Sequence, residues 1–251
     1  MRVALWQGGS PASDLTIGLS QAEAALSAAG QMGASVLVLP EVWLPGYNQP
    51  DIAPQALAAD APALGRLADA ARSSRCALVL GYAEQADGRI YNSALCIGSD
   101  GAILANYRKI QLYGPREKAL YTPGTAHVCF DLAGQKVALL ICYDIEFAPH
   151  IKALADQGVT LILCPTANMH PFTHVPRATI PAMAANHGVA IVYANYCGTE
   201  GDLAYTGGSQ IVGPHGEILA MAGETPALLI ADLPPRDTTR LSTQSVDFRT
   251  V

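Results

Sequence analysis

The second half of this 251-residue chain repeats the order of elements found in its first half. The apolar run K-V-A-L-L-I-C, beginning at Lys136, resembles R-V-A-L-W-Q, beginning at Arg2. Further matching pairs are V-T-L-I-L-C-P-T with A-S-V-L-V-L-P-E, H-G-V-A-I-V-Y-A-N with S-R-C-A-L-V-L-G-Y, and the hairpin 205–220 with the hairpin 91–107. Short β-branched runs of this kind are typical of buried strands. The repeat therefore predicts two similar α/β halves.

The predicted strands are apolar on both faces, so each sheet must be covered on both sides. Two such halves meet this requirement by packing sheet against sheet with helices outside. We therefore expect a four-layer α-β-β-α sandwich that forms one domain over residues 1–251. A polar tail from about Asp232 lacks a strong pattern, and we expect it to lie along a partner subunit or to be mobile.

Charge and composition exclude several classes of protein. The formal net charge is −6 and there is no long basic run, so a nucleic-acid partner is not indicated. No apolar run reaches the roughly 18 residues of a membrane span, and the N-terminus lacks the apolar core of a signal peptide. We expect a cytoplasmic protein. The six cysteines form no C-x-x-C pair, and Pro171 separates His170 from His174, so neither a disulfide framework nor a metal site is predicted.

Three polar residues interrupt the apolar pattern where predicted elements end. Glu41 ends the second strand, Lys109 follows the first hairpin, and Cys142 ends the strand that opens the second half. Ligand crevices in open α/β sheets lie at the carboxyl ends of strands. We therefore expect these three side chains to meet in one crevice.

The chemistry of this trio is that of nucleophilic catalysis. A cysteine is only slightly ionised at neutral pH, so it needs a nearby base or cation. A carboxylate whose pKa is raised by burial can take the thiol proton and pass it to a leaving amine. A lysine ammonium, together with the backbone N–H of Tyr143, can stabilise the oxyanion of a tetrahedral intermediate.

At these residues the chain resembles the nitrilase superfamily of carbon–nitrogen hydrolases. The segments that carry the resemblance are L-V-L-P-E-V-W-L-P-G-Y around Glu41, Y-R-K-I-Q-L-Y-G-P-R-E around Lys109 and L-L-I-C-Y-D-I-E-F around Cys142. The order of the three motifs agrees with the family, and the resemblance extends from Met1 to about Ala231. It implies the same α-β-β-α fold that the internal repeat predicts.

The resemblance also implies roles for individual residues. Glu41 would be the general base, Lys109 the stabiliser of the tetrahedral intermediate and Cys142 the nucleophile. Glu117, eight residues after the lysine, would form a hydrogen bond near Lys109 and orient the substrate. Neither a metal nor an organic cofactor is implied, and the protein is expected to form a homodimer or a higher homo-oligomer.

Within the family, the chain is most similar to aliphatic amidases that act on small amino-acid-derived or ω-amino amides. The cues are I-C-Y-D-I-E-F, P-T-A-N-M and V-Y-A-N-Y-C-G, whereas P-A-M-A-A-N departs from the usual A-R-A-x-E-N. Four loop residues, besides Tyr143, are candidates for contact with the substrate: Tyr47, Tyr113, Asn168 and Met169.

Three alternatives remain open at the level of sequence. The same trio would serve a nitrilase or a hydrolase of N-carbamoyl amino acids. A Cys–His hydrolase of the papain type could instead use Cys197 in N-Y-C-G, although no histidine shares a motif with it. A binding protein without catalytic activity is the third alternative, and the intact trio argues against it.

Overall fold

The computed structural model describes residues 1–247 and residue 249. Within that part of the chain, the strands form two six-stranded sheets and one two-stranded ribbon. The strands are β1 (Arg2–Gln7), β2 (Val36–Val38), β3 (Ala77–Ala86), β4 (Arg89–Ile97), β5 (Ile103–Arg108), β6 (Cys129–Leu132), β7 (Gln135–Leu139), β8 (Leu161–Pro165), β9 (Ala190–Ala194), β10 (Thr199–Glu200), β11 (Leu203–Ala204), β12 (Gln210–Val212), β13 (Ile218–Met221) and β14 (Ala227–Asp232).

The two large sheets have the same plan. Their strand orders are β14-β1-β2-β3-β4-β5 and β6-β7-β8-β9-β12-β13. In each, three central strands run parallel, one antiparallel strand lies beside the first of them, and two further antiparallel strands follow the third. β14 comes from the end of the second half and pairs with β1 over six residues, so the last strand completes the first sheet.

The helices cover the outer faces of the sheets. They are α1 (Leu15–Gln31), α2 (Pro62–Ser74), α3 (Gly114–Leu120), α4 (Ala148–Asp156), α5 (Ile180–His187) and α6 (Gln244–Asp247), with 3₁₀ turns at Ala53–Gln55, Cys142–Glu146 and Thr238–Arg240 and a π turn at Val175–Thr179. α1 begins where the Asp14 side chain accepts a hydrogen bond from the Ile17 N–H at 2.9 Å. It ends before Gly33, which has a positive φ of 74°.

Alternation along the first sheet explains the layers. Val36 and Val38 of β2 belong to the apolar cluster that they share with the second sheet, whereas Leu37 belongs to the cluster formed with α1 and α2. Each strand therefore buries one set of side chains between the sheets and the other beneath helices. This arrangement confirms the predicted α/β class and the α-β-β-α sandwich, which follows from runs that are apolar on both faces.

Three details differ from the sequence-based expectation. β2 ends at Val38, so Glu41 lies in the turn beyond the strand and not at its last residue. β14 was not predicted, because its position depends on pairing with β1, more than 200 residues away. The tail contains the short helix α6, and its Leu241 side chain lies against Gly188 after α5. Contact of this tail with a partner subunit stays a prediction.

Across the described residues, no helix is both long and apolar enough to cross a bilayer.

Candidate active site

The turn that carries Glu41 is held by contacts on three sides. Trp43, fully buried, donates a hydrogen bond from Nε1 to the Gly18 carbonyl of α1 at 2.9 Å and stacks on Tyr196 at 5.8 Å between ring centroids. The Tyr196 hydroxyl donates to the Glu41 carbonyl at 2.8 Å, and the Glu41 N–H donates to the Thr166 carbonyl at 3.2 Å. Both halves of the chain therefore fix the backbone of Glu41.

The Glu41 carboxylate is fully buried, and its two oxygens differ. Oε1 accepts hydrogen bonds from Lys109 Nζ at 2.6 Å and from Asn92 Nδ2 at 2.7 Å. Oε2 has no hydrogen-bond partner among the residues that the structure describes. A buried oxygen without a partner is costly, so this atom is the one available to exchange a proton.

Lys109 is buried between two carboxylates. It is therefore not a solvent-exposed surface lysine, although it stands next to Arg108 in the sequence. Its Nζ donates to Glu41 Oε1 at 2.6 Å and to Glu117 Oε1 at 2.8 Å. Glu117, 1% exposed, also accepts from the Tyr47 hydroxyl at 2.7 Å and from the Tyr113 N–H at 2.8 Å. An ammonium group has three donors, so one N–H of Lys109 is left for a substrate oxygen.

Cys142 does not end the strand as predicted: β7 ends at Leu139, and Cys142 is the first residue of the 3₁₀ turn that follows. Its φ is +47°, a left-handed conformation that non-glycine residues rarely adopt. Asp144 stabilises this turn by accepting hydrogen bonds from the Ile141 N–H at 3.1 Å, the Gln111 N–H at 2.7 Å and the Tyr107 hydroxyl at 2.8 Å. The Tyr143 N–H lies in the first turn of this helix, where backbone donors have no helical acceptor.

Burial and neighbouring charges set the protonation states of the site. Burial raises the pKa of Glu41 to about 7; Lys109 opposes this rise and Glu117 adds to it. Burial disfavours the charged form of Lys109, but Glu117 and Glu41 outweigh it, so its pKa lies well above the ordinary value. Burial and then Glu41 raise the pKa of Cys142 well above its ordinary value, against Lys109. At rest Cys142 is therefore a thiol beside a carboxylate able to accept its proton.

A cavity of about 270 Å³ opens onto Cys142. Its lining includes all five residues that the sequence singled out for substrate or oxyanion contact: Tyr47, Tyr113, Tyr143, Asn168 and Met169. Asn168 is also a structural residue, since its Nδ2 donates to the Phe172 carbonyl at 3.1 Å and to Thr206 Oγ1 at 3.0 Å. The structure thus brings the predicted trio, Glu117 and the candidate contact residues to one place.

Five residues of the site were not assigned by sequence reasoning. Asn92 bonds Glu41 and Asp144 supports the nucleophile turn, whereas Glu146, Phe172 and His174 line the cavity. Asn92 offered a signal, because asparagine is depleted in β-strands. Asp144 and Glu146 both stand within the cysteine motif. Only the structure shows that Asp144 supports the turn whereas Glu146 lines the cavity.

The alternative nucleophile does not gain support from its surroundings. Cys197 is buried, its N–H donates to the Gly8 carbonyl, and burial raises the pKa of its thiol. Among the described residues, its side chain forms no hydrogen bond to a histidine. In the same part of the chain, no three His, Cys, Asp or Glu side chains are grouped so as to hold a metal ion.

A buried Glu-Lys-Cys cluster at the seam of an α-β-β-α sandwich is the arrangement of a nitrilase-fold hydrolase. The family model described as carbon-nitrogen hydrolase matches residues 2–242. The chain belongs to this family and is a carbon–nitrogen hydrolase of the nitrilase superfamily.

Individual relatives agree with this assignment. The chain is 40% identical over 237 residues to "Hydrolase in pqqF 5'region" of Pseudomonas protegens, which covers 93% of this chain and 82% of the relative. It is 35% identical over 200 residues to an (R)-stereoselective amidase of a Pseudomonas species, covering 79% and 72%. It matches a mutant amidase of Nesterenkonia sp. AN1, with acrylamide added at the active site cysteine, at 37% identity, a TM-score of 0.88 and 93% coverage of each chain.

Proposed function

We propose that this hydrolase is an amidase that converts small linear amides to a carboxylate and ammonia through a thioester on Cys142. The observation that carries the proposal is that Oε2 of Glu41 has no hydrogen-bond partner among the described residues, whereas the other oxygen of this carboxylate is held by Lys109 and Asn92. A carboxylate with a pKa of about 7 can serve as a base and then as an acid at neutral pH.

In the first half of the reaction, Cys142 Sγ attacks the amide carbon while Glu41 takes the thiol proton. The free N–H of Lys109 and the Tyr143 N–H stabilise the oxyanion of the tetrahedral intermediate, a contribution of about 3–4 kcal/mol for each well-placed donor. The C–N bond then breaks as Glu41 returns its proton to the leaving nitrogen. Ammonia departs and the acyl group remains on Cys142 as a thioester.

Hydrolysis of the thioester uses the same groups in reverse. Glu41 removes a proton from a water molecule, whose oxygen attacks the thioester carbon. When the C–S bond breaks, the proton on Glu41 returns to the Cys142 sulfur, and the acid is released. The free enzyme is regenerated, and no electrons are gained or lost, so the cycle needs no redox partner.

Similarity to named amidases supports an amide in preference to other carbon–nitrogen substrates. The (R)-stereoselective amidase and the Nesterenkonia amidase are both named for amide hydrolysis. The resemblance of the cysteine motif to aliphatic amidases points in the same direction, towards aliphatic or amino-acid-derived amides. A nitrile or an N-carbamoyl amino acid would use the same trio, so these substrates are included in the test.

The test is a panel of matched amide, nitrile and N-carbamoyl substrates scored for ammonia release. We expect the amides to be turned over and Cys142→Ala and Cys142→Ser to abolish release, by a factor of roughly 10⁴ or more for loss of a nucleophile. Cys197→Ala is the matched control and retains activity. Mass spectrometry of the denatured enzyme, quenched during turnover, locates the acyl adduct on Cys142.

Contrary outcomes are distinct. Activity that survives Cys142→Ala excludes the mechanism, and activity lost only in Cys197→Ala favours the papain-type alternative. A higher rate on nitriles or carbamoyl compounds assigns the enzyme to those substrates. The absence of turnover and of any adduct across the panel indicates a binding protein.

A further inference from the structure

A buried carboxylate outside the cavity takes no part in the mechanism. Glu200 ends β10 in the two-stranded ribbon of the second half and is 5% exposed. Its Oε1 accepts hydrogen bonds from Ser10 Oγ at 2.6 Å and from Gln49 Nε2, and its Oε2 accepts one from the Tyr205 hydroxyl. Among the described residues, no basic side chain forms an ion pair with it. Because a buried charge is costly unless it is hydrogen-bonded, the three donors and the carboxylate hold one another in place.

The loop that follows Glu41 is shaped around this carboxylate. Gly46 has a φ of 126°, and a Cβ at this position would come within 2.5 Å of Glu200 Oε1. The Glu200 carbonyl also accepts a hydrogen bond from Asn48 Nδ2 at 2.9 Å. The side chain and the backbone of Glu200 therefore both hold the loop 46–49, which belongs to the first half of the chain.

This loop carries a contact to one of the two carboxylates that hold Lys109. Tyr47 lies within the loop, and its hydroxyl donates to Glu117 Oε1 at 2.7 Å. The same oxygen accepts from Lys109 Nζ at 2.8 Å. The Tyr47 carbonyl accepts from Arg116 Nη1 at 2.8 Å, so the loop is held by α3 on one side and by Glu200 on the other. A shift of the loop therefore moves the hydroxyl that orients Glu117.

A pair of stacked aromatic rings joins Glu200 to Glu41. The Tyr205 ring stacks on the Tyr196 ring, at 4.9 Å between centroids and 29° between planes. The Tyr196 hydroxyl donates in turn to the Glu41 carbonyl at 2.8 Å. Among the described residues, the Tyr205 hydroxyl forms its hydrogen bond with Glu200 alone, so this carboxylate sets the orientation of the outer ring. Since stacked rings prefer specific geometries, the outer ring constrains the inner ring that holds the turn of Glu41.

We propose that Glu200 is a positioning residue for catalysis, although it does not line the cavity. Through the stacked rings it fixes the backbone of Glu41, and through the loop 46–49 it fixes the carboxylate of Glu117. These two carboxylates hold Lys109 between them. One buried side chain of the second half therefore sets the geometry of three groups that the first half supplies. This inference rests on the proposed amidase function, in which Glu41 transfers the protons.

Variants of Glu200 test the residue with hexanamide, a small linear amide. Glu200→Ala removes all three acceptor contacts, and a displacement of about 1 Å at the base should lower kcat/KM by roughly 10²-fold. Glu200→Gln keeps an oxygen for the Ser10 and Gln49 donors, so it should recover activity to within about tenfold of the wild type. Asp202→Ala is the matched control. It removes an exposed carboxylate two residues away, which Asn48 Nδ2 contacts at 2.8 Å, and it should keep wild-type kinetics.

A double-mutant cycle tests the route through the stacked rings. Tyr205→Phe keeps the ring and removes only the hydroxyl that contacts Glu200, so kcat/KM should fall less than in Glu200→Ala, by about tenfold. Residues that act through one another show non-additive effects. We therefore expect the double variant Glu200→Ala/Tyr205→Phe to be no slower than Glu200→Ala alone.

A second assay measures the site without amide hydrolysis. Iodoacetamide alkylates Cys142 as the thiol loses its proton, and Glu41, whose pKa is raised by burial to about 7, is the base that takes it. In Glu200→Ala, the alkylation rate at about pH 7.5 should fall by roughly 10- to 100-fold, and mass spectrometry assigns the label to Cys142. A residue that only stabilises the fold would lower the urea midpoint and leave both rates unchanged in folded enzyme.

The outcomes separate this inference from the proposed function. If folded Glu200→Ala matches Asp202→Ala in both assays, the inference is overturned and the amidase function stands. Equal losses in Glu200→Gln and Glu200→Ala, or additive effects in the double-mutant cycle, also overturn it. If the wild type releases no ammonia from any amide, the proposed function fails and the alkylation rates decide the inference. Circular dichroism identifies folded variants. If Glu200→Ala does not fold, wild-type rates of Tyr205→Phe in both assays overturn the inference.

Discussion

At the scale of single residues, the site depends on how one carboxylate is shared. Oε1 of Glu41 is bonded by Lys109 and Asn92, and Oε2 is left without a partner among the described residues. Burial raises the pKa of this carboxyl to about 7, and the two donors limit the rise. We infer that this balance keeps Glu41 ionised enough to accept the Cys142 proton and acidic enough to give it away.

The pH dependence of catalysis follows from this balance. The base form of Glu41 exists above its pKa, so kcat/KM should fall as the pH is lowered through about 7. Asn92→Ala removes a hydrogen bond that lowers this pKa, so the acidic limb should move upward by about one pH unit. A pH profile of kcat/KM for hexanamide gives the apparent pKa of this acidic limb in the wild type and in the variant.

The control for this prediction is Asn186→Ala. Its side chain lies on α5 and forms no hydrogen bond with the described residues, so its profile should coincide with that of the wild type. An acidic limb that does not move in Asn92→Ala would show that the limb reports a group other than Glu41.

The sequence was sufficient to locate the candidate reacting residues, but it did not identify the residues that hydrogen-bond to them. Glu41, Lys109 and Cys142 stand out because each polar side chain interrupts an apolar pattern, and the family resemblance added Glu117. Asn92 supports Glu41 from a strand 51 positions away, and that pairing is set by the register of β3 with β4. Such a contact depends on tertiary geometry, which a single sequence pattern does not contain.

At the scale of elements, the position of Glu41 depends on close contact between its turn and β3. Gly81 lies in β3 directly beneath the turn, and a Cβ at this position would clash with the Pro40 carbonyl oxygen and come within 2.7 Å of Glu41 Cα. These are backbone atoms, so no side-chain rotation relieves the contact. The absence of a side chain at residue 81 is what allows the turn to approach the strand.

We therefore predict that Gly81→Ala displaces the base. Overpacking at such a site typically costs about 1–3 kcal/mol of stability. Because a shift of about 1 Å in a catalytic group can cost roughly 10²-fold in rate, kcat should fall by about that factor even in protein that remains folded. Urea unfolding and steady-state kinetics measure the two effects separately.

Gly65→Ala provides the control. Gly65 lies in α2, and a Cβ there meets no atom within 4 Å, so this variant should gain about 0.5–1 kcal/mol from helix propensity and keep its activity. If Gly81→Ala has wild-type kcat, close contact with β3 does not set the position of Glu41.

The elements themselves were largely predictable, with errors at their boundaries. α1 spans Leu15–Gln31, because Asp14 caps its start and Gly33 follows its end; both are signals that the local sequence carries. The strand predicted up to Glu41 stops at Val38. Glu41 itself is held by the second half of the chain, because its N–H donates to the Thr166 carbonyl and its carbonyl accepts from the Tyr196 hydroxyl. The boundary was set by contacts across the molecule, which local propensity does not record.

At the scale of the whole molecule, the site exists only where the two halves meet. Glu41 and Lys109 come from the first half and Cys142 from the second, and the internal repeat predicted this seam. β14 shows what the repeat could not predict, because it leaves the second half to pair with β1. Assembly into a homodimer or a higher oligomer stays a prediction, as does a cytoplasmic location.

One buried contact joins the halves directly at the nucleophile. Tyr107 of β5 donates its hydroxyl to Asp144 Oδ2 at 2.8 Å, and the same carboxylate holds the Ile141 N–H beside Cys142. Burial raises the pKa of Asp144, whereas Lys109 and these donors lower it. The hydroxyl therefore stabilises a buried charge in the second half from a strand of the first.

We predict that Tyr107→Phe costs about 1.5–3 kcal/mol of stability, the typical value of a hydrogen bond to a charged group. The turn at Cys142 should also loosen, so kcat should fall more than KM changes. Tyr91→Phe is the matched control, since the Tyr91 ring packs under Arg108 at 3.8 Å and its hydroxyl bonds no described residue. Urea unfolding and kinetics on hexanamide compare the two variants. Equal effects in both would mean that the Tyr107–Asp144 contact does not couple the halves to the nucleophile, and that packing of the two sheets alone holds the site together.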